Sequence, residues 1–521
     1  MAVLVGWRWG ALWRVGAPDK AQATLALPEH FDPAEAEPVE GSLDASAPTT
    51  VALEVPLSPL RTAGTEARPL VAQISRLPDG QMLWTEEIDP ARAAAGAEKL
   101  RLDLPAGFLG AGTYELEILD AGEPLYYVRF RLRSVHGGTL NESEGAALHL
   151  PDGGYLLAST TYSFGSSPGR SSDGWLVRLS ATGDELWSRT YGGDGWDGLN
   201  SIRPTPDGNY VCTGYAGSAF ADLWLLKVSP EGEVLFDRRW GTEHGWDNGR
   251  DVICTADGGY AVVGYTRSFG KGPRSVYLVK TDASGRREWD QHYGGEGEDT
   301  GVSLLQMADG GYLLGGTTAS FGAGGSDLWV IRTDAAGAVL WDRTYGDSLA
   351  QSGGMLLPAR DGDFYLLGST LRDEVLDFND GWLLKLAADG EPRWSRRYGG
   401  EGPETFARGI VLADGGLVIA GSTAPGREQD DVWLLGLDAE GNVLWERSFG
   451  GPEAEAALWL EAARDRGFLV CATTRSYGAG DDDLWLIRTD SSGLYAIGGG
   501  TPAEQRYWSR VLVHAVPAGL R

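Results

Sequence analysis

Two tripeptides fifty residues apart, Gly195-Trp196-Asp197 and Gly245-Trp246-Asp247, carry the residue types in this chain best suited to recognition chemistry. A solvent-facing indole stacks on a sugar ring or anchors a protein partner. A carboxylate beside it accepts hydrogen bonds from hydroxyl or ammonium groups. Glu243 and His244 precede the second tripeptide, and His244 alone in this cluster can exchange protons near neutral pH. Trp459 stands in a later stretch of the same kind and adds a third ring. Together Trp196, Asp197, Glu243, His244, Trp246, Asp247 and Trp459 form the candidate binding set, with no catalytic residue assigned.

Other chemistries lack their residues. No His pair has metal-ligand spacing, and no Ser/His/Asp grouping or nucleophile elbow occurs. Carboxylate pairs abound, but with 73 acidic residues chance pairs are expected, so they do not by themselves imply glycoside cleavage. The Asp runs offer oxygen donors for weakly held Ca²⁺, yet none has EF-hand spacing, and no cofactor is expected.

These residues fall between units of a repeat. Asp152-Gly153-Gly154-Tyr155 recurs as Asp207-Gly208-Asn209-Tyr210, Asp257-Gly258-Gly259-Tyr260 and Asp309-Gly310-Gly311-Tyr312. Eroded copies follow at Asp361, Asp414 and Asp465, with steps of 55, 50, 52, 52, 53 and 51 residues. A period near fifty with strand-like content predicts propeller blades. In the clearest unit, Val302–Gln306, Tyr312–Thr317, Asp327–Arg332 and Val339–Tyr345 read as four strands joined by Gly turns. An aromatic recurs in the third strand (Trp175, Trp224, Tyr277, Trp329, Trp382, Trp433, Trp485) and another in the fourth (Trp187, Phe236, Trp289, Trp341, Trp394, Trp445). Fixed register predicts that both sets pack between blades and are largely buried.

The turn-plus-Trp pattern, as in Asp438-Ala439-Glu440-Gly441-Asn442-Val443-Leu444-Trp445, resembles the tryptophan-docking motif of quinoprotein-type propellers, with one residue's difference before the Gly. The whole repeat, over about residues 137–495, resembles the DGGY…DLW…W…YGG propeller repeats of bacterial and archaeal surface or secreted proteins. That resemblance implies a propeller at the cell surface or outside the cell. It implies neither a quinone cofactor nor any catalytic residue. The N-terminal apolar run is interrupted by Arg8 and Arg14 and has no basic leader region, so the chain as given reads without a signal peptide, and a cytoplasmic location stays open.

The expected fold is all-β, a seven-bladed β-propeller over residues 134–521 with an N-terminal immunoglobulin-like β-sandwich over residues 1–133. Alternating segments such as Thr50–Leu57 and Thr113–Ile118 carry the sandwich expectation. Two segments compete to close the ring. Ser134-Val135-His136-Gly137-Gly138 aligns without a gap to Arg189-Thr190-Tyr191-Gly192-Gly193, while the tail offers Tyr507–His514. Closure by the tail is the favoured expectation.

A formal charge of −29 excludes a phosphate backbone as partner and disfavours anionic membranes. No apolar stretch is long enough to span a bilayer. The odd set Cys212, Cys254 and Cys471, all in apolar runs, reads as buried thiols. The function expected is non-enzymatic binding of a glycan or protein through acidic, Trp-bearing loops, with oligomeric state open. The rival is a polysaccharide lyase or glycoside hydrolase with its site at the propeller centre, and the plainest alternative is rings that cover the channel rim and bind nothing.

Overall fold

The computed structural model describes residues 136–493, apart from short stretches at 138–139, 182, 184, 373–377, 401, 425–428, 451–452, 464–466 and 477–481, together with strand backbone before residue 136. Seven four-stranded antiparallel arrays make a closed β-propeller. Blades one to six span residues 142–191, 196–240, 248–293, 299–345, 351–398 and 404–449. Blade seven begins with Glu455–Ala462, Phe468–Thr474 and Asp483–Thr489. The first strand of each blade touches that of the next around the ring, and blade seven meets blade one.

The chain path inside a blade follows from the turn chemistry. Gly153, Gly208, Gly258, Gly310, Gly362 and Gly415 hold φ between 81° and 92°, where a side chain would be strained. Each hairpin then runs into a second strand buried on both faces, as at Tyr260–Thr266. The third strand, such as Ser275–Thr281, is equally buried. Stacked blades cover both faces of these strands, which explains their unbroken apolar runs. The fourth strand lies outermost and alternates toward solvent.

The two aromatic sets differ. Third-strand rings are 0–9% exposed throughout. Three of their indoles are answered by an acid on the fourth strand: Trp224 Nε1 donates to Asp237 at 3.0 Å, Trp329 to Asp342 at 3.0 Å, and Trp433 to Glu446 at 2.7 Å. Of the fourth-strand rings, Phe236 is buried, but Trp187, Trp289, Trp341, Trp394 and Trp445 are only half-buried, which corrects the expectation that the whole set would be buried. The outermost strand has no further strand beyond it. Its rings instead cover the last turn of the next blade, so that a Cβ on Gly390 would meet Trp341 at 3.0 Å and one on Gly493 would collide with Trp445.

Ring closure also departs from the sequence expectation. The outer edge of Asp483–Thr489 pairs antiparallel with the end of Glu123–His136, through Ser134↔Leu486, Val135↔Trp485 and His136↔Leu484. The strand before blade one therefore closes the ring, in place of the C-terminal tail, whose residues 494–521 lie outside the described residues. Closure by a strand from the opposite end of the repeat ties the first and last blades together. That same strand also pairs with Gly112–Asp120 and Val39–Asp44. The packing of the N-terminal sheets on one another, and with it the immunoglobulin-like sandwich, lies outside the described residues. Cys212 and Cys471 are buried and Cys254 is half-buried; all three are free thiols.

Candidate functional site

First strands start, and second strands end, at one face of the ring. At or within one residue of the start of each first strand stands an acid or amide: Glu142, Asp197, Asp247, Asp299, Gln351, Glu404 and Glu455, all at most 3% exposed. They fasten the neighbouring loops. Asp247 accepts the Arg267 and Ser268 N–H groups at 3.2 and 3.3 Å and the Ser268 hydroxyl. Asp299 accepts Gly295 N–H at 3.0 Å, the Ser320 hydroxyl at 2.6 Å and the Thr318 hydroxyl. Asp197 accepts Gly193 N–H at 2.8 Å, and burial pushes its carboxyl up. Asp197 and Asp247 are thus placed inside the loop framework rather than on its surface.

The remaining candidates separate by depth. Trp196 is 38% exposed and meets Tyr162 of blade one edge-on at 6.2 Å. Trp246 is half-buried and tilts against Tyr215 of blade two at 6.1 Å. Each indole therefore leans on a phenol of the preceding blade. Glu243 and His244 are exposed, and His244 stands edge-on to Phe220 at 6.4 Å. Trp459 is elsewhere: it is 4% exposed and sits within Glu455–Ala462, the innermost strand of blade seven, rather than in a rim loop.

A second set of residues joins the two tryptophans. Every first strand carries a β-bulge, and in blade one the bulge falls at Glu144. Glu144 holds φ 51°, the only non-Gly residue with positive φ among the described residues. Its carboxylate reaches Arg250, the bulge residue of blade three, at 3.3 Å. Its Oε2 is buried without a hydrogen-bond partner among the described residues. Burial raises the Glu144 carboxyl against the opposing pull of Arg250. The Tyr162 and Tyr215 phenols are pushed up by burial first and by the Glu144 charge second. Arg250 and Arg274 lie 5.8 and 4.5 Å from the Tyr265 ring, and Glu298 lies 3.8 Å from Arg274.

The bulge-position charges and the paired Trp and Tyr rings occur in blades one to three. The bulge positions of blades four to seven are Val302, Gly354, Ala407 and Leu458. Where blades two and three have Tyr215 and Tyr265, the other blades have Thr160, Thr317, Ser369, Ser422 and Thr473. These tyrosines break the repeat as clearly as Trp196 and Trp246 do, a signal that lay inside apolar runs. Tyr215 and Tyr265 are only 8% exposed, so the arrangement presents the open Trp196 ring, backed by half-buried and buried rings, beside one coupled acid and base. Among the described residues no group of three or more His, Cys, Asp or Glu converges on a metal position. A separate groove of about 430 Å³ is lined by Phe321, Tyr345 and Pro392 among others, at blades four and five.

No family model matches the chain. The regulatory protein FlaEY of Caulobacter vibrioides is 24% identical over 398 residues, covering 64% of this chain, which spans 41% of that relative's length. Among solved structures, an ulvan lyase from a new family of polysaccharide lyases is 9% identical, with a TM-score of 0.46, covering 68% of this chain and 95% of its own. The periplasmic gluconolactonase of Pseudomonas aeruginosa is 14% identical, with a TM-score of 0.39, covering 74% and 98%. An α-L-arabinanase of Penicillium chrysogenum is 10% identical, with a TM-score of 0.38, covering 55% and 92%. Among the described residues no helix is long and apolar enough to cross a membrane.

Proposed function

We propose that this chain is a binding propeller whose loop face, over blades one to three, takes a glycan. The observation that carries this is the confinement of Tyr162, Trp196, Tyr215, Trp246 and Tyr265 to three adjacent blades, with the Trp196 ring open to solvent. Sugars stack their C–H faces on an open ring such as Trp196, with Trp246 half-buried beside it, and direct hydroxyls to charged hydrogen-bonding groups, here Glu144 and Arg250. A basic protein partner is less well served, because Asp197 and Asp247 are turned inward to hold loops. Glu243 and His244 flank the surface and would set its edge. The same reading places the chain at the cell surface or outside the cell, with a sandwich domain before the ring.

The test is a glycan array followed by calorimetry. Binding should fall at least tenfold in Trp196→Ala and Trp246→Ala, and should change little between 50 and 300 mM salt, since a neutral sugar gains nothing from exposed charge. Undiminished binding in the double variant sinks the proposal.

A second reading rests on Glu144. A carboxyl raised by burial, on a backbone of unfavourable φ and beside two phenols, suits a general acid. A carbohydrate-active enzyme would then release reducing or unsaturated sugar ends. Glu144→Gln should abolish that release while leaving binding intact; release persisting in Glu144→Gln excludes this role.

A further inference from the structure

Deeper in the channel, one residue beyond the bulges, the first strands place Ser201, Asp251, Ser303, Met355, Arg408 and Trp459 at equivalent positions. The Arg408 guanidinium lies 4.1 Å from the Trp459 ring centroid, and that of Arg203 lies 4.8 Å from it. The cations differ in their partners. Arg203 pairs with Asp251 at 2.9 Å, and the same Asp251 oxygen also accepts Ser201 and Val252 at 3.1 Å. Its other oxygen accepts Leu304 N–H at 3.4 Å. Arg408 is 9% exposed and contacts only the Met355 sulfur, at 3.1 Å, as a hydrogen-bond partner among the described residues. Trp459 is 4% exposed, and its Nε1 donor has no acceptor among the described residues.

A buried guanidinium without a carboxylate is costly and is normally paired. Burial lowers Arg408 to about 10, with Asp251 opposing, so it stays charged at neutral pH. Two guanidiniums and one carboxylate leave one positive charge in excess. Three third-strand tryptophans, Trp224, Trp329 and Trp433, show the usual arrangement, an indole N–H answered by an acid. At Trp459 that acid is missing.

We propose that the channel centre is a binding site for a small monovalent carboxylate, held by Arg408 and the Trp459 N–H. A carboxylate matches the planar guanidinium fork with two oxygens, and its single charge cancels the excess. Arg203, stacked on the same indole and held by Asp251, braces the ring. The site does not rest on the glycan surface above it.

The test uses the full chain labelled with ¹⁵N at its indoles. The resonance absent from Trp459→Phe identifies the site. Sodium acetate should shift that resonance saturably, whereas sodium chloride and sodium sulfate at equal ionic strength should not. Arg408→Met should remove the response while the other indole resonances keep their dispersion. Should Arg408→Met fail to fold, Arg408→Lys keeps the charge without the fork and should weaken acetate at least tenfold. No shift, an equal shift in all three salts, a shift with chloride alone, or unchanged affinity in Arg408→Lys would each overturn the proposal.

Discussion

The two ends of each blade use the same residue type in opposite ways. At the hairpin end, Asp207, Asp257 and Asp361 are half-exposed and pair with cations rising from the third strand: Lys227 at 2.5 Å, Lys280 at 2.8 Å and Lys385 at 2.5 Å. Asp152 and Asp309 pair likewise with Arg178 and Arg332. Those cations are at most 15% exposed. Each of these Asp residues also accepts an N–H of its own turn, as Gly259 donates to Asp257 at 3.0 Å. At the loop end, Asp197, Asp247 and Asp299 are buried and take backbone and hydroxyl donors. An acidic composition therefore does not make an acidic binding face. One end spends its carboxylates on buried cations, and the other spends them on loop geometry.

The sharpest test of this contrast removes one member from each end. Asp299→Ala takes the acceptor from the Thr318 and Ser320 hydroxyls and one of two acceptors from Gly295 N–H at a buried position, and should cost about 3 kcal/mol in urea denaturation. A loss below about 1 kcal/mol would show that the loops hold themselves. Lys280→Met removes a buried cation but leaves Asp257 and Glu288 about half-exposed, where water can serve them. Its cost should be only about 1 kcal/mol, because an apolar side chain of similar size replaces the buried stem. A Lys280→Met loss larger than that of Asp299→Ala would invert the comparison.

The smallest effect is in pH. Burial raises the loop-end carboxyls of Asp173, Asp197 and Glu404. Their ionised forms are disfavoured in the fold, so they add stability as pH falls from neutral toward the unfolded values near 4. At the hairpin end, the hydrogen bond from Lys227 holds Asp207 well below the usual range. For Asp257, burial opposes, but the hydrogen bonds from Lys280 and Thr255 prevail and lower it to about 2. That stability is present above the unfolded value and is lost as pH falls through the folded one. Stability should rise slightly from pH 7 to about 5 and decline below about 4. Asp197→Asn should flatten the rise and Asp257→Asn the decline; denaturation curves at pH 7, 5 and 3 in which neither arm moves would show that the two ends do not differ electrostatically.

The blade pattern was legible because turn glycines and strand periodicity are local. Val339–Tyr345 is a strand with the boundaries read from sequence, whereas the first strand of that blade starts at Asp299 rather than Val302. A bulge between Gly301 and Ser303 breaks the alternation that marks a strand. The same interruption hid the first strand of blade seven, which is why Trp459 read as a loop residue. Trp196 and Trp246 were visible as departures from the repeat. Glu144 and Arg250 were not, being 106 residues apart and joined only across blades.

Repeat period, turn positions and third-strand aromatics were determined by the sequence itself, since φ preference and side-chain alternation act within a few residues. Tertiary structure alone decided which segment closes the ring, which carboxylates are withdrawn from solvent, and which groups meet in the channel. Those outcomes depend on desolvation, and desolvation is set by neighbours that the chain brings back from one blade, or seven blades, away.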